Sequence, residues 1–240
     1  LFEGYTHSIP VIFSSLEGQY DGQLYVDSEK DPGIAILFTP FNFHYLAGSP
    51  EVEDVVNILD EMIFKKYLKE TRGKEVVVFC PDKRWEKVLD EVFTRHNGIK
   101  DVRKMYQLNK MRFRKIVQGR ESLEGIEQRL VYEQSYGALQ EYPVYRIYKS
   151  DRCISYCAGF MTGKDQVEID VSTVEEYRGQ GYAFEASVDL IDFLLENGFE
   201  PVWAAWPYRA GSQNLAISLG FELKDEVSAY IWVEAECGKI

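Results

Sequence analysis

Apolar and polar residues recur along this chain with a period of two in some stretches and of three to four in others, and the alternation predicts most of its elements. Val11–Leu16 is short and apolar and reads as a β-segment. Residues 22–26 form a strand before an Asp31-Pro32-Gly33 turn, and Gly33–Phe38 makes its hairpin partner. Phe43–Ala47 is a further strand, ending at Gly48-Ser49-Pro50. From Glu51 to Tyr67 the residues Val55, Ile58, Leu59, Met62 and Ile63 mark an amphipathic helix, with Ser49 as N-cap and Pro50 at its first position. Glu75–Cys80 is a buried strand. Arg84–His96 is helical and stops at Asn97-Gly98, and Val102–Phe113 reads as extended.

The second half follows the same order. Ser122–Leu139 reads as a helical lead-in, and Pro143–Lys149 and Cys153–Met161 pair around Ser150-Asp151-Arg152. Gln166–Val174 alternates as a third strand, and a helix runs from Gly181 to Glu196. Pro201–Trp206 is a strand, Ser212–Leu219 a short helix, and Glu222–Val233 the last strand. Three strands, helix, strand, helix, strand thus occurs twice without residue identity, a repeat of architecture. The expectation is a mixed α/β (α+β) protein of two related units, residues 1–118 and 119–240. A single mixed sheet with a long N-terminal extension is the alternative.

Composition narrows the function classes. The 240 residues are 45% hydrophobic and 14% aromatic, which suits globular domains with real cores. No apolar run approaches the ~18–20 residues of a membrane span, so no membrane partner is expected. Leu1-Phe2-Glu3-Gly4-Tyr5 has neither the basic start nor the cleavage site of a signal peptide. Cys80, Cys153, Cys157 and Cys237 form no CxxC pair, and the only histidines are His7, His44 and His96, so no metal site is expected. Reduced thiols then predict a cytoplasmic protein. A net charge of −12 serves solubility, repels nucleic acid and favours cationic partners such as amines. The sequence is compatible with a homodimer and does not fix the oligomeric state.

The chemistry concentrates where Gln166–Val174 runs into Arg178-Gly179-Gln180-Gly181-Tyr182-Ala183. Glycines there let backbone approach a ligand closely and take angles denied to other residues. The first N–H groups of the helix lack intrahelical acceptors and converge on an anion. Hydrogen bonds to charged oxygens are worth about 1.5–3 kcal/mol each. Several of them offset repulsion from distant carboxylates screened over about 8 Å. Glu175 and Glu176 oppose an anion unless their side chains turn outward.

This segment resembles the signature of the GNAT N-acyltransferases: Arg or Gln, two residues, Gly, one residue, then Gly or Ala. Arg178, Gly181 and Ala183 fill it, with Tyr177 and Gly179 as common neighbours and Glu168-Ile169 on the strand before. Ser212, Leu219, Gly220 and Phe221 resemble the family's helix ending in Leu-Gly-Phe. The whole is similar to the subfamily typified by the zwittermicin A resistance protein. The resemblance implies a GNAT fold over about 120–240, preceded by a degenerate GNAT-like half. It implies an acetyl-CoA-dependent N-acetyltransferase in which Val171, Ser172 and Thr173 hydrogen-bond the pantetheine arm. Arg178, Gly179, Gln180, Gly181, Tyr182 and Ala183 would hold the pyrophosphate. The thioester would lie where that strand and Pro201–Trp206 splay apart, and a small-molecule amine would attack directly.

The match is incomplete where acid and base are needed. Ala216 stands where many relatives have an acid Tyr, and Arg209 where they have Asn, leaving Tyr208 and Tyr182 as substitutes. Glu168 and then Asp170 are the base candidates, on one face by alternation unless the bulge common in this family reverses it. Trp203 and Trp206 read as core ahead of substrate platform. In the first half Gly48-Ser49-Pro50 replaces the phosphate turn, and Pro50 removes an amide, so that half is expected to bind no coenzyme A and to cover the acceptor cleft or pack against the second half. His44 beside it could reach a cleft. Two other readings stay open: a non-catalytic acyl-CoA-binding or regulatory protein, and a tRNA-dependent transferase. Against the second stand the charge and Lys104–Lys115 as the only basic stretch.

Overall fold

The computed structural model describes residues 1–135 and 137–234. In chain order the elements are α1 (Ile9–Leu16), β1 (Gln23–Val26), β2 (Ile34–Phe38), β3 (Phe43–Gly48) and α2 (Val55–Asp60). The last continues through a π-helical stretch Glu61–Tyr67 into α3 (Leu68–Thr71). Then come β4 (Glu75–Phe79), α4 (Glu86–Thr94), β5 (Ile99–Leu108), α5 (Lys110–Gln118), β6 (Glu127–Glu133), β7 (Tyr142–Lys149), β8 (Arg152–Gly163) and β9 (Gln166–Thr173). The chain closes with α6 (Tyr182–Glu196), β10 (Glu200–Ala205), α7 (Ala210–Ser218) and β11 (Phe221–Val233).

Four readings of the sequence change. Val11–Leu16 is helical, not extended: Pro10 sits in the first turn of α1, where its missing N–H costs nothing. The helix after β3 starts at Val55 behind Asp54, in the left-handed region at φ 60°, rather than behind Ser49. The extended stretch ends at Leu108, and Asn109 caps α5 by accepting from the Arg112 N–H at 3.1 Å. Within Ser122–Leu139 the regular element is the strand β6, paired antiparallel with β7.

The chain divides into two compact units that interleave along the sequence, where the sequence reading drew one cut after residue 118. The first takes Leu1–Thr6, Asp21–Arg103 and the described residues 227–234; the second takes His7–Tyr20 and Lys104–Glu226. In the first, the strand order is β1-β2-β3-β4-β11, with Ala229–Val233 of β11 antiparallel to β4. In the second it is β5-β10-β9-β8-β7-β6, with Lys104–Gln107 of β5 antiparallel to β10. The closing strand of each half of the sequence therefore completes the sheet of the other unit. Trp85, Phe38, Leu46 and Val78 anchor the first core, and Trp203, Phe221, Leu190 and Ile169 the second.

Gly48 shows how tightly β2 and β3 meet. Its φ is 109°, and a Cβ there would lie 2.0 Å from the Gly33 carbonyl oxygen. Backbone on both sides leaves nothing flexible to move. Gly48→Ala is expected to destabilise by about 2–3 kcal/mol, from strain and overpacking together. The measurement is the urea midpoint, with Gly4→Ala, which meets nothing within 4 Å, as the control that should stay close to wild type.

Candidate functional site

The glycine turn at 178–183 and both carboxylates lie in the second unit, on β9 and the segment joining it to α6. Alternation places Val167 and Ile169 against α6, where they join Ala186 and Leu190 in the core. Glu168 and Asp170 point to the opposite face. A bulge falls on the neighbouring strand: β8 carries the extra residue between Gly159 and Met161, opposite Ile169 and Glu168, so β9 keeps its alternation. On that second face Met161 sits opposite Glu168, and Gly163 lies against Phe13 of α1, where a Cβ would come within 2.5 Å of the Phe13 Cβ. Glu168 is 6% exposed as a result.

Asp170 stands closer to solvent. The Tyr156 hydroxyl donates to its Oδ2 at 3.2 Å. Burial pushes its carboxyl above the ordinary carboxylate value, partly offset by that hydroxyl and by the Val171 amide. Tyr156 is a partner that the sequence could not have named, because the β8–β9 register that brings it to Asp170 is a long-range property.

β9 and β10 run parallel for only three rungs, Gln166–Glu168 with Glu200–Val202, and part beyond them. The Val174 N–H bonds the Ile154 carbonyl, and the Ser172 carbonyl accepts from the Ser155 hydroxyl at 3.0 Å. Backbone groups in a strand alternate sides, so residues 172 and 174 face β8, while Val171 and Thr173 face the gap beside β10. The Thr173 carbonyl is taken by Arg178 Nε at 3.2 Å, a bond that pins the turn to the strand it leaves.

The turn itself has the shape the sequence predicts. Gly179 (φ 74°) and Gly181 (φ 88°) occupy the left-handed region. A Cβ on Gly179 meets nothing within 4 Å, and one on Gly181 only Leu123 at 3.5 Å, so open space lies in front of both. The first helical bond of α6 runs from Glu185 to the Gly181 carbonyl. The N–H groups of Tyr182, Ala183 and Phe184 precede it and stand at the positive end of a fifteen-residue helix. Glu175 and Glu176 are exposed, and Arg152 hydrogen-bonds Glu176, drawing that charge away from the turn. Arg120 grips α6 through Asp189 at 3.0 Å and Glu185 at 3.5 Å, bringing Leu123 to the turn. The helical reading of 122–139 concealed this strap.

The remaining residues sort themselves by burial. Tyr182 is 8% exposed in the core, whereas Tyr208 is 67% exposed and stacked on Trp206. Trp203 is a core residue whose indole N–H donates to Ser212 Oγ at 3.0 Å. Ala216 is wholly buried, and its methyl group has no proton to donate. Burial pushes the Cys157 and Cys80 thiols up to about 12, which leaves neither as a thiolate nucleophile at neutral pH. Cys237 lies outside the described residues. Among the described residues no group of three or more His, Cys, Asp or Glu could hold a metal ion, and no helix is long and apolar enough to cross a membrane.

In the first unit the segment that follows β3 is differently built. The Ser49 N–H bonds the Gly33 carbonyl, the Glu51 N–H the Ser49 hydroxyl and the Val52 N–H the Ser49 carbonyl, while Pro50 has none. His44 is fully buried and reaches no cleft. Its Nδ1 accepts from the Thr39 N–H, and burial lowers its pKa to about 3, so it is a neutral core residue.

A family model described as GNAT acetyltransferase matches residues 1–142 and 139–230. The Uncharacterized N-acetyltransferase YdfB of Bacillus subtilis (strain 168) is 22% identical over 237 residues, which is 91% of this chain and 88% of that protein. A GCN5-related N-acetyltransferase-like protein from Streptococcus suis superposes with a TM-score of 0.70 at 23% identity, over 97% of this chain and 95% of the other. A tandem GNAT protein from the clavulanic acid biosynthesis pathway gives a TM-score of 0.66 at 9% identity, over 96% and 89%. At such identities the two structures bear on the fold and on nothing finer.

Proposed function

Since the chain belongs to the GNAT acetyltransferase family, we propose that it moves an acetyl group from acetyl-CoA to the primary amine of a small molecule by direct attack. The observation that carries this reading is the juxtaposition at one end of β9. The open gap between β9 and β10 adjoins a turn whose two left-handed glycines leave helix-start amides facing free space. The pyrophosphate takes the amides of Gly179 to Ala183, with Arg178 and the Gln180 side chain flanking them. The pantetheine arm takes the Val171 carbonyl and the Thr173 N–H, while Ser172 keeps its backbone on β8. The first unit, whose matching amides are already bonded, binds no coenzyme A.

Asp170 is the base. It lies past the last β9–β10 rung, whereas the buried Glu168 lies on it, which makes Glu168 the second choice. Its raised pKa suits proton abstraction near neutral pH better than an ordinary carboxylate does. Tyr156 positions it. Asp170 first takes a proton from the bound ammonium, which frees the lone pair; the amine nitrogen then bonds the acyl carbon and the carbon–sulfur bond breaks. The second proton shed by that nitrogen passes through water to the departing thiolate, whose ordinary pKa is about 8.5. Two inert buried thiols support direct attack over an acyl-enzyme, and a charge of −12 favours a cationic acceptor.

Calorimetric titration should show acetyl-CoA binding at tens of micromolar or tighter, and an amine library should reveal acceptors by release of free thiol. Absence of binding sinks the proposal. Binding without turnover for any amine would favour the regulatory reading instead, which the buried Ala216 in the acid's place supports.

A further inference from the structure

A second cavity lies in the same unit, where the last turn of α6, the start of β9 and the end of α1 converge. It measures about 420 Å³, within the size range of small-molecule sites. Its floor is apolar, with Val167 and Leu194 each 1% exposed, and the rings of Phe193 and Phe199 line it. The charged residues lining it have one sign: Glu17 and Glu141, with no lysine or arginine among them.

The helix adds to that sign. α6 ends here with Gly198 at φ 83° and the Phe199 N–H bonded to the Leu194 carbonyl at 2.9 Å. The C-terminal end of a helix carries about half a negative charge. An anion is therefore repelled from three directions. A metal ion finds no cluster of ligands. A neutral ligand would leave the carboxylates unused. What fits is an apolar body on the floor with one positive charge near the rim, where aromatic faces also attract cations.

We propose that this cavity is a binding site for a small aromatic ammonium ion, separate from the site assigned to acetyl-CoA. The separation is geometric. The fifteen residues of α6 place its two ends about 22 Å apart. The three β9–β10 rungs close the sheet between the cavity and the gap. A ligand here cannot be the amine that attacks a thioester lying in that gap.

The test is a calorimetric titration of the full chain with phenethylammonium, and with 2-phenylethanol as its neutral counterpart. One saturable site for the ammonium is expected, with the alcohol about ten-fold weaker or more. Glu17→Gln combined with Glu141→Gln should weaken the ammonium about five-fold or more, a modest effect because both carboxylates are exposed at the rim. Asn197→Trp, at the exposed rim, should abolish binding by closing the mouth. Melting temperatures near wild type establish that these variants fold. Absence of saturation up to about 10 mM, equal binding of the alcohol, or binding untouched by both sets of substitutions would each overturn the proposal. Acetyl-CoA titrated in parallel should bind all variants alike. Its failure to bind even the wild type would count against the transferase reading and leave the cavity result standing.

Discussion

Asp170→Asn is expected to lower kcat/KM for acetyl transfer by about 10²–10⁴-fold, the usual worth of a positioned base. Asparagine keeps the shape, and its carbonyl still accepts from Tyr156, so the loss would report proton transfer alone. The pH profile is the sharper test. Burial raises the Asp170 pKa above the ordinary 3.8, so the wild-type rate should climb with pH through a midpoint above that value. The variant should lack that limb. Linkage supplies a control of opposite sign. A carboxyl whose pKa is raised on folding is held protonated more firmly in the native state, so its contribution to stability falls as pH rises from the unfolded pKa through the folded one. The asparagine variant should therefore be no less stable than wild type at neutral pH. Activity within about threefold of wild type would remove Asp170 from the role and direct the same measurement to Glu168→Gln.

Gly181→Val is expected to weaken acetyl-CoA binding by more than about 100-fold while the protein stays folded. At φ 88° a β-branched residue is strained by about 1–3 kcal/mol. Its methyl groups also enter the open space that the amides of the turn face. Strain alone could loosen the helix start, so the comparison needs a second glycine of the same kind. Gly198, at the other end of α6, has φ 83° and nothing within 4 Å of a Cβ. Gly198→Val should show a similar drop in melting temperature with acetyl-CoA affinity retained. If both variants bind equally well, residues 178–183 only connect a strand to a helix.

The local features of the site were legible in the sequence because they are themselves local. Alternation fixed which residues of β9 share a face, and two glycines ahead of an amphipathic helix fixed the turn. Short apolar runs were not decisive: Val11–Leu16 has the composition of a buried strand and the geometry of a helix, since hydrophobicity alone carries no period over six residues. In the lead-in, Leu123, Ile126 and Leu130 recur at three and four, yet the first two reach the core from a loop while Leu130 lies half-buried on β6. Asn109 is a local cap signal, masked by the alternating strand that runs into it. Tyr156 beside Asp170, Leu123 beside Gly181 and Arg120 on α6 depend on pairings distant in sequence, which no local pattern encodes.

The pairing of β11 with β4 sets an order of events during synthesis. Chains fold from the N-terminus as they emerge, yet one edge of β4 is covered only by β11, which is made after every other described strand. Until Ala229–Val233 leaves the ribosome, β4 presents a row of unpaired backbone groups, the kind of edge that invites association with other chains. The second unit has all its strands in hand by Glu226 and is not delayed in this way. A chain truncated just after Glu226 should therefore be one whose earlier-made unit is the incomplete one, and the burden of holding it soluble would fall on chaperones.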